Sequence, residues 1–317
     1  MANNPSIPDE SILFVPVRDT YGRRLALVFG NEFERGECPF YTANQCYHCD
    51  IGAGEGTQFT PDMNRGRLEI FQKHYDEAIR SIGHLVVYNS GSTLNKAEMS
   101  RITLGNILGY AASLKNCGVV SLDSREMYVT GDALDYVVER LRGDQRARAI
   151  LGIESQSDEI RIGKLNKIMT KETIERAFQV AEGYDGKVGI DINVVFQPPE
   201  LIGEEAIVEA VETLRYGLDL GSRYAVSVDF NFHPYYPSKR GWIIYKDHPR
   251  ANLDDAKKAL RKMRDEIDAR RSDARIFIGW QCEEHDQQPG MRGSELEEGM
   301  KMFGQFNVTQ DVQVLRQ

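Results

Sequence analysis

Three of the chain's five cysteines, Cys38, Cys46 and Cys49, fall within twelve residues. In a reducing compartment such crowding reads as metal ligation or catalysis, not as a disulfide framework. Three thiolates satisfy three irons of a cubane [4Fe–4S] cluster, which normally takes four protein ligands, so the fourth iron is left open to a substrate or cofactor. The same residues are also compatible with a non-catalytic zinc site in which His48, Cys117 or Cys282 is the fourth ligand. Such sites usually close with a second C-x2-C or H-x3–5-H pair, and the chain has none. Cys117 opens an apolar run and reads as a small buried hydrophobe. Cys282 stands beside Glu283, Glu284 and His285, and is either an ordinary thiol or a soft ligand for a thiophilic substrate or extra metal.

The cysteines follow directly on an apolar run at 24–29 that opens a regular alternation. Strand patterns at 24–29, 84–88, 118–122, 147–154, 188–196, 223–232 and 275–280 are interleaved with helical patterns at 64–81, 96–115, 132–142, 171–182, 204–216 and 252–270. This predicts an α/β fold, a partial (βα)6 TIM-type barrel of parallel strands with a possible seventh strand. The expected organisation is an amino-terminal extension over 1–22, a barrel domain over 23–285 and a carboxyl-terminal tail over 286–317. The cysteine segment would lie in the loop after the first strand, on the face where barrels place their chemistry.

Two strand patterns say more than fold. In 190–197 apolar residues alternate with Asp191, Asn193 and Gln197, and in 226–233 they alternate with Ser227, Asp229, Asn231 and His233. Side chains alternate across a strand, so each strand offers an apolar face to helices and a polar face to the lumen. Barrel interiors are ordinarily filled by branched apolar side chains, so a polar lumen suggests a polar ligand. Charge narrows the class of that ligand. With 39 basic and 48 acidic residues the net charge is −9, the wrong sign for coating nucleic acid or an anionic membrane. The opening residues are polar, with no apolar h-region, and no run approaches the roughly 18 residues of a spanning helix. These features predict a cytoplasmic protein with no membrane partner, and favour a small-molecule substrate over nucleic acid.

The cysteine segment and a series of strand-end motifs resemble the radical S-adenosylmethionine superfamily. The chain has C-x7-C-x2-C where the usual motif is C-x3-C-x2-C. The longer first spacing is similar to the branch that contains the elongator catalytic subunit and the methylthiotransferases. Asn89-Ser90-Gly91-Ser92 resembles that branch's counterpart of the glycine-rich element that meets the methionine amino group. Asp123-Ser124-Arg125 resembles its acidic-Ser/Thr-Arg element, and Gly152-Ile153-Glu154-Ser155 its G-[IL]-E-[ST] element. Val195-Phe196-Gln197-Pro198-Pro199 resembles a strand-five segment in which a glycine usually stands where Gln197 is. His48 occupies a position that is commonly aromatic and near adenine. Each motif has a plainer reading: Ser92 or Asn95 as a helix cap, Glu154 as a buried acid held by backbone amides, Arg125 as a surface ion-pair partner.

The resemblance implies a [4Fe–4S] cluster on Cys38, Cys46 and Cys49 and S-adenosylmethionine bound by His48, Ser90, Gly91, Ser92, Arg125, Glu154 and Gln197. It implies an enzyme that cleaves S-adenosylmethionine reductively to a 5′-deoxyadenosyl radical acting on a small biosynthetic substrate, with an external electron donor such as flavodoxin or ferredoxin. Asp191, Asn193, Asp229, Asn231 and His233 would then contact substrate or adenosine, with Cys282 as a further substrate ligand. Two other activities remain compatible with the motifs: transfer of a 3-amino-3-carboxypropyl group to a soft acceptor, as in carbon–arsenic bond formation of the arsinothricin type, and transfer-RNA modification. The chain lacks the basic second domain, auxiliary cysteine triplet and acetyltransferase domain that accompany RNA substrates in this branch.

Overall fold

The structure, a computed structural model, describes residues 17–74, 81–235, 238–249, 251–279 and 294–316. The elements follow as β1 (Val17–Asp19), β2 (Gly22–Phe29), α1 (Pro39–Thr42), α2 (Pro61–His74), β3 (Ile82–Asn89), α3 (Arg101–Ser113), β4 (Val119–Ser124), α4 (Gly131–Val138), β5 (Arg146–Glu154), α5 (Lys171–Glu182), β6 (Val188–Phe196), α6 (Gly203–Arg223), β7 (Val228–Pro234), α7 (Lys239–Ile244), α8 (Leu253–Ala269), β8 (Ile276–Ile278) and α9 (Ser294–Thr309). The eight strands lie side by side in sequence order in one sheet. β1 pairs antiparallel with β2, and β2 through β8 are all parallel. The result is a nearly closed, TIM-type barrel-like sheet with a hairpin at its first edge.

The alternation read from the sequence decides which face is which. Leu25, Leu27, Leu85, Val87, Val120, Leu122, Ala149, Leu151, Ile190, Ile192, Phe230 and Phe232 point outward into one core shared with the helices. Inside, a small apolar group of Ala26, Val86 and Ile150 sits among polar neighbours. Helix starts are defined by side-chain caps: Ser100, Thr130, Thr170 and Asn252 each accept from the backbone N–H three residues on. The sixth strand pattern, expected from 223, begins at Val228 because α6 continues through Arg223. The helix expected from 96 begins at Arg101, since 95–98 form a loop instead.

The barrel's last edge is closed by side chains. On α9, Asn307 accepts from the Ile278 N–H at 2.7 Å and donates to its carbonyl at 3.1 Å, and Gln310 does the same for Ile276 at 2.8 Å each. Two carboxamides thus stand in for a neighbouring strand and cover an edge that would otherwise invite pairing. No described helix is long and apolar enough to cross a membrane.

The lower lumen is filled by ions. Arg148 pairs with Asp191 and, at 3.3 Å, with Asp229, which also accepts from the Tyr21 hydroxyl at 2.6 Å. Asp19 contacts His84 Nδ1 at 2.7 Å, His84 Nε2 contacts Ser121 Oγ at 2.8 Å, and Ser121 donates to Asp191 at 2.8 Å. Buried charges persist only when paired and hydrogen-bonded, and this floor meets that condition.

Candidate functional site

The loop after β2 carries the three cysteines over the carboxyl ends of the strands. Pro39 starts α1 immediately after Cys38, whose N–H donates to Gly52 O at 2.9 Å. A Cβ at Gly52 would lie 2.9 Å from Tyr41 Cβ and 3.1 Å from Cys38 Cβ, so glycine permits the loop to close on itself. Cys46 sits in the left-handed region at φ +57°, its N–H donating to Asn166 O at 3.1 Å, and Tyr47 N–H donates to Leu165 O at 3.0 Å. Cys49 N–H returns to Cys46 O at 3.0 Å.

Burial keeps two of these thiols protonated in the free protein. Burial, with Glu98 and Cys46 adding to it, pushes Cys38 up to about 11, and burial, with Cys46 and Cys38 adding to it, pushes Cys49 up to about 12. A bound metal reverses that penalty, because ligating thiols deprotonate against its charge. Among the described residues no three His, Cys, Asp or Glu side chains converge closely enough for one metal ion. The three half-buried thiols are the residues that could hold a cluster, which takes one thiolate at each liganded iron.

Arg125, at the end of β4, reaches under this loop. Its guanidinium rests 4.0 Å from the Phe40 ring centroid, places Nη1 3.6 Å from Cys46 Sγ and donates from Nη2 to Ile168 O at 2.6 Å. Glu126 Oε2 lies 3.3 Å from its Nε. Arg125 is therefore buried within the site, not a surface partner.

Buried Ser90 and Ser92, with half-buried Gly91 between them, form a turn locked from two sides. Asn31 donates to Ser90 O at 2.8 Å, Ser92 N–H donates to Glu98 Oε2 at 3.0 Å, and Ser92 Oγ accepts from Arg125 N–H at 3.3 Å. A Cβ at Gly91 would fall 1.9 Å from Glu98 Oε2 and 2.7 Å from Asn31 Nδ2. Neither Ser92 nor Asn95 caps α3; Ser100 does, and Asn95 donates to Glu98 at 2.6 Å.

Glu154 is the centre of the upper lumen. The β5–β6 register shifts between Leu151 and Glu154, and Glu154 itself lies at φ +67°, a strained place for a non-glycine residue. Its Oε1 accepts from Lys167 Nζ at 2.9 Å with His48 Nε2 at 3.4 Å, and His233 Nε2 lies 3.4 Å from Oε2. Side chains hold this acid where backbone amides were the plainer expectation. Although burial opposes its charge, Lys167 and the two imidazoles hold Glu154 well below the usual carboxylate range. Burial lowers His48, with Lys167 adding to the effect. Asp123, facing the same space from β4, is pushed up to about 7 by burial, with Glu154 and Glu98 adding and Lys167 opposing.

The expected residues thus divide into three groups. Cys38, Cys46, Cys49, His48, Ser90, Gly91, Ser92, Arg125, Glu154 and His233 share the upper end. Asn231 donates to Asn193 at 3.0 Å one rung below, where β6 and β7 run in register. Asp191 and Asp229, expected to contact substrate or adenosine, belong instead to the ionic floor, where Arg148 occupies both. Gln197 keeps a left-handed backbone at φ +57°, the conformation a glycine supplies without strain, and turns its side chain to Pro249 O at 2.8 Å. Cys117 is fully buried in the core. Cys282 lies outside the described residues. The sequence reading passed over Lys167 and Glu98, because a lysine in a loop and a glutamate before a helix ordinarily face solvent.

No protein-family profile matches the chain. An uncharacterized protein of Methanocaldococcus jannaschii is 28% identical over 149 residues, 46% of this chain and 40% of that protein. Among solved structures, a queuine lyase from Clostridium spiroforme bound to SAM and queuine aligns with a TM-score of 0.49 and 15% identity, over 72% of this chain and 83% of the lyase. The radical S-adenosylmethionine methyltransferase TsrM from Kitasatospora setae, solved with tryptophan and a SAM analog, aligns with a TM-score of 0.39 and 13% identity, over 65% and 35% of the two chains. The cobalamin-dependent S-adenosylmethionine radical enzyme OxsB aligns with a TM-score of 0.40 and 12% identity, over 61% and 26%.

Proposed function

We propose that this chain is a radical S-adenosylmethionine enzyme acting on a small molecule, with a [4Fe–4S] cluster held by Cys38, Cys46 and Cys49. The observation that carries the reading is buried Arg125, whose guanidinium lies beside Cys46 Sγ and whose backbone N–H donates to Ser92 Oγ, so that one residue joins the cysteine loop to the Ser90–Gly91–Ser92 turn. When bound, the cluster supplies an electron that cleaves a carbon–sulfur bond of the sulfonium cofactor and releases a carbon radical.

The chain's own residues bind, orient and exclude water. Arg125 offers a fixed cationic fork to a carboxylate. Ser92 Oγ accepts from Arg125 N–H and so keeps its own hydroxyl proton to donate to the same carboxylate. Glu154, ionised and acceptor-only, takes an amino group or ribose hydroxyls. His48 would face the adenine, Ser90 and Gly91 would offer backbone to the cofactor, and Gln197 could offer only backbone because its side chain is engaged by Pro249 O. Asn193, Asn231 and His233 line the way down to the ionic floor and are the substrate-facing groups of this reading. A small substrate follows from the acidic charge and from a lumen closed below by Arg148 and its carboxylates. A flavodoxin- or ferredoxin-type donor completes the reaction.

The test is iron and sulfide analysis of protein reconstituted without oxygen. Four irons and four sulfides per chain with broad visible absorption, both lost in Cys46→Ala, support the reading. Stoichiometric zinc with no iron overturns it.

A further inference from the structure

The segment 165–169 touches the cysteine loop, Arg125 and Glu154. Leu165 O accepts from Tyr47 N–H at 3.0 Å and Asn166 O from Cys46 N–H at 3.1 Å. Asn166, at φ +52°, donates its amide to Asn44 O at 2.9 Å. Ile168 O accepts from Arg125 Nη2 at 2.6 Å. Between them Lys167 Nζ reaches Glu154 Oε1 at 2.9 Å, with the two side chains 5% and 4% exposed. The segment is itself held from behind, where Lys167 N–H donates to Arg161 O at 3.0 Å and fully buried Arg161 donates to Met169 O at 2.8 Å.

Room for the ion pair is provided by Gly152. A Cβ there would stand 2.6 Å from Glu154 Oε1 and 2.7 Å from Lys167 Nζ. The pair leaves a specific remainder. Glu154 Oε2 is buried with His233 Nε2 3.4 Å away but no hydrogen bond, and His48 Nδ1, on the ring whose Nε2 faces Oε1, is buried without one as well. Unsatisfied buried polar atoms are costly, and two at one place mark where a ligand's groups belong.

We propose that Lys167 is a positioning residue for this site: it fixes Glu154 with Oε1 occupied and Oε2 directed at a hydrogen-bond-donating group of bound S-adenosylmethionine, while its segment sets the height of the cysteine loop above that carboxylate. This rests on the function proposed above and goes beyond it. The side chain and the segment have separable effects. Replacing the side chain removes the constraint on Glu154 but keeps the backbone bonds to Cys46 and Tyr47, so cluster loading survives while cofactor binding weakens.

The test uses full-length Lys167→Met, Lys167→Arg and Gly152→Ala, each loaded with iron and sulfide without oxygen, with S-adenosylmethionine affinity read by equilibrium dialysis. Lys167→Met and Gly152→Ala should keep the wild-type iron content and bind roughly 10- to 100-fold more weakly, while Lys167→Arg recovers most of the affinity. In unloaded protein, Lys167→Met should lower Tm by stranding a buried carboxylate, and Glu154→Gln added to it should restore Tm. Wild-type affinity in both Lys167→Met and Gly152→Ala, or no restoration by Glu154→Gln, overturns the inference alone. A cluster-loaded wild type that binds no S-adenosylmethionine overturns the proposed function and this inference together.

Discussion

Arg125 Nη1 lies 3.6 Å from Cys46 Sγ, although the two residues are 79 positions apart in the chain. The contact ties the end of β4 to the loop after β2, with Phe40 stacked on the other side of the guanidinium at 4.0 Å. Arg125→Met keeps the apolar bulk against Phe40 but removes the charge and the bond to Ile168 O. The expected result is roughly tenfold weaker cluster retention, read as iron lost to a chelator over time, with Tm lowered by only a few degrees. Iron retention equal to wild type would show that Arg125 does not support the cysteine loop.

Gly91→Ala places a methyl group 1.9 Å from a carboxylate oxygen that Ser92 and Asn31 already hold. Glu98 is fully buried and cannot swing away. Overpacking of this kind costs about 1–3 kcal/mol, so urea unfolding should show a clear loss of stability even in protein without a cluster. An unchanged midpoint would mean that the Ser90–Gly91–Ser92 turn is not held as described.

Asp123 gives the site a pH signature. Its folded-state carboxyl sits at about 7, above the ordinary 3.8, so folding favours the proton. The stability this contributes is complete below about pH 4 and is lost as pH rises toward 7, a change of roughly 4 kcal/mol at most, at about 1.4 kcal/mol per tenfold in proton affinity. Glu154 has the opposite sign, since its lowered value contributes stability that is present above the ordinary 4.5 and lost in acid. Asp123→Asn should therefore be more stable than wild type at pH 8 and should flatten the decline between pH 5 and 8. Parallel profiles for the two proteins would contradict this.

Arg148 anchors the floor of the barrel. Arg148→Met leaves Asp191 and Asp229 facing each other without their cation, and breaking a buried pair in this way costs about 3–5 kcal/mol. Asp229→Asn in the same chain should recover part of the loss. A cost under about 1 kcal/mol in urea unfolding would mean that water, not protein, solvates those carboxylates.

Much of this arrangement was legible in the sequence. The period-2 runs of β6 and β7 located both the outward core residues and the inward polar column, because alternation is a property of the strand itself. The cysteine spacing and the strand-end motifs likewise placed Arg125 and Glu154 on one face. Depth within the lumen was not legible: Asp191 and Asn193 look alike in a strand pattern, and only the position of Arg148 on β5 assigns the first to the floor. Lys167 and Glu98 were missed because their burial depends on tertiary pairings, with Glu154 and with the Ser92 N–H, that no local pattern records. The carboxamide cover on β8 escaped for the same reason, since Asn307 and Gln310 read as ordinary polar positions on a helix.

The most direct test of the central claim is to incubate anaerobically reconstituted protein with dithionite and S-adenosylmethionine and identify the cleavage fragments by mass spectrometry, with Cys46→Ala as the matched control. The account predicts 5′-deoxyadenosine from the wild type and none from Cys46→Ala. Methylthioadenosine above its spontaneous background would keep the cluster chemistry but move the reaction to aminocarboxypropyl transfer. A cluster-loaded wild type that yields neither fragment, with or without candidate small-molecule substrates, would contradict the account.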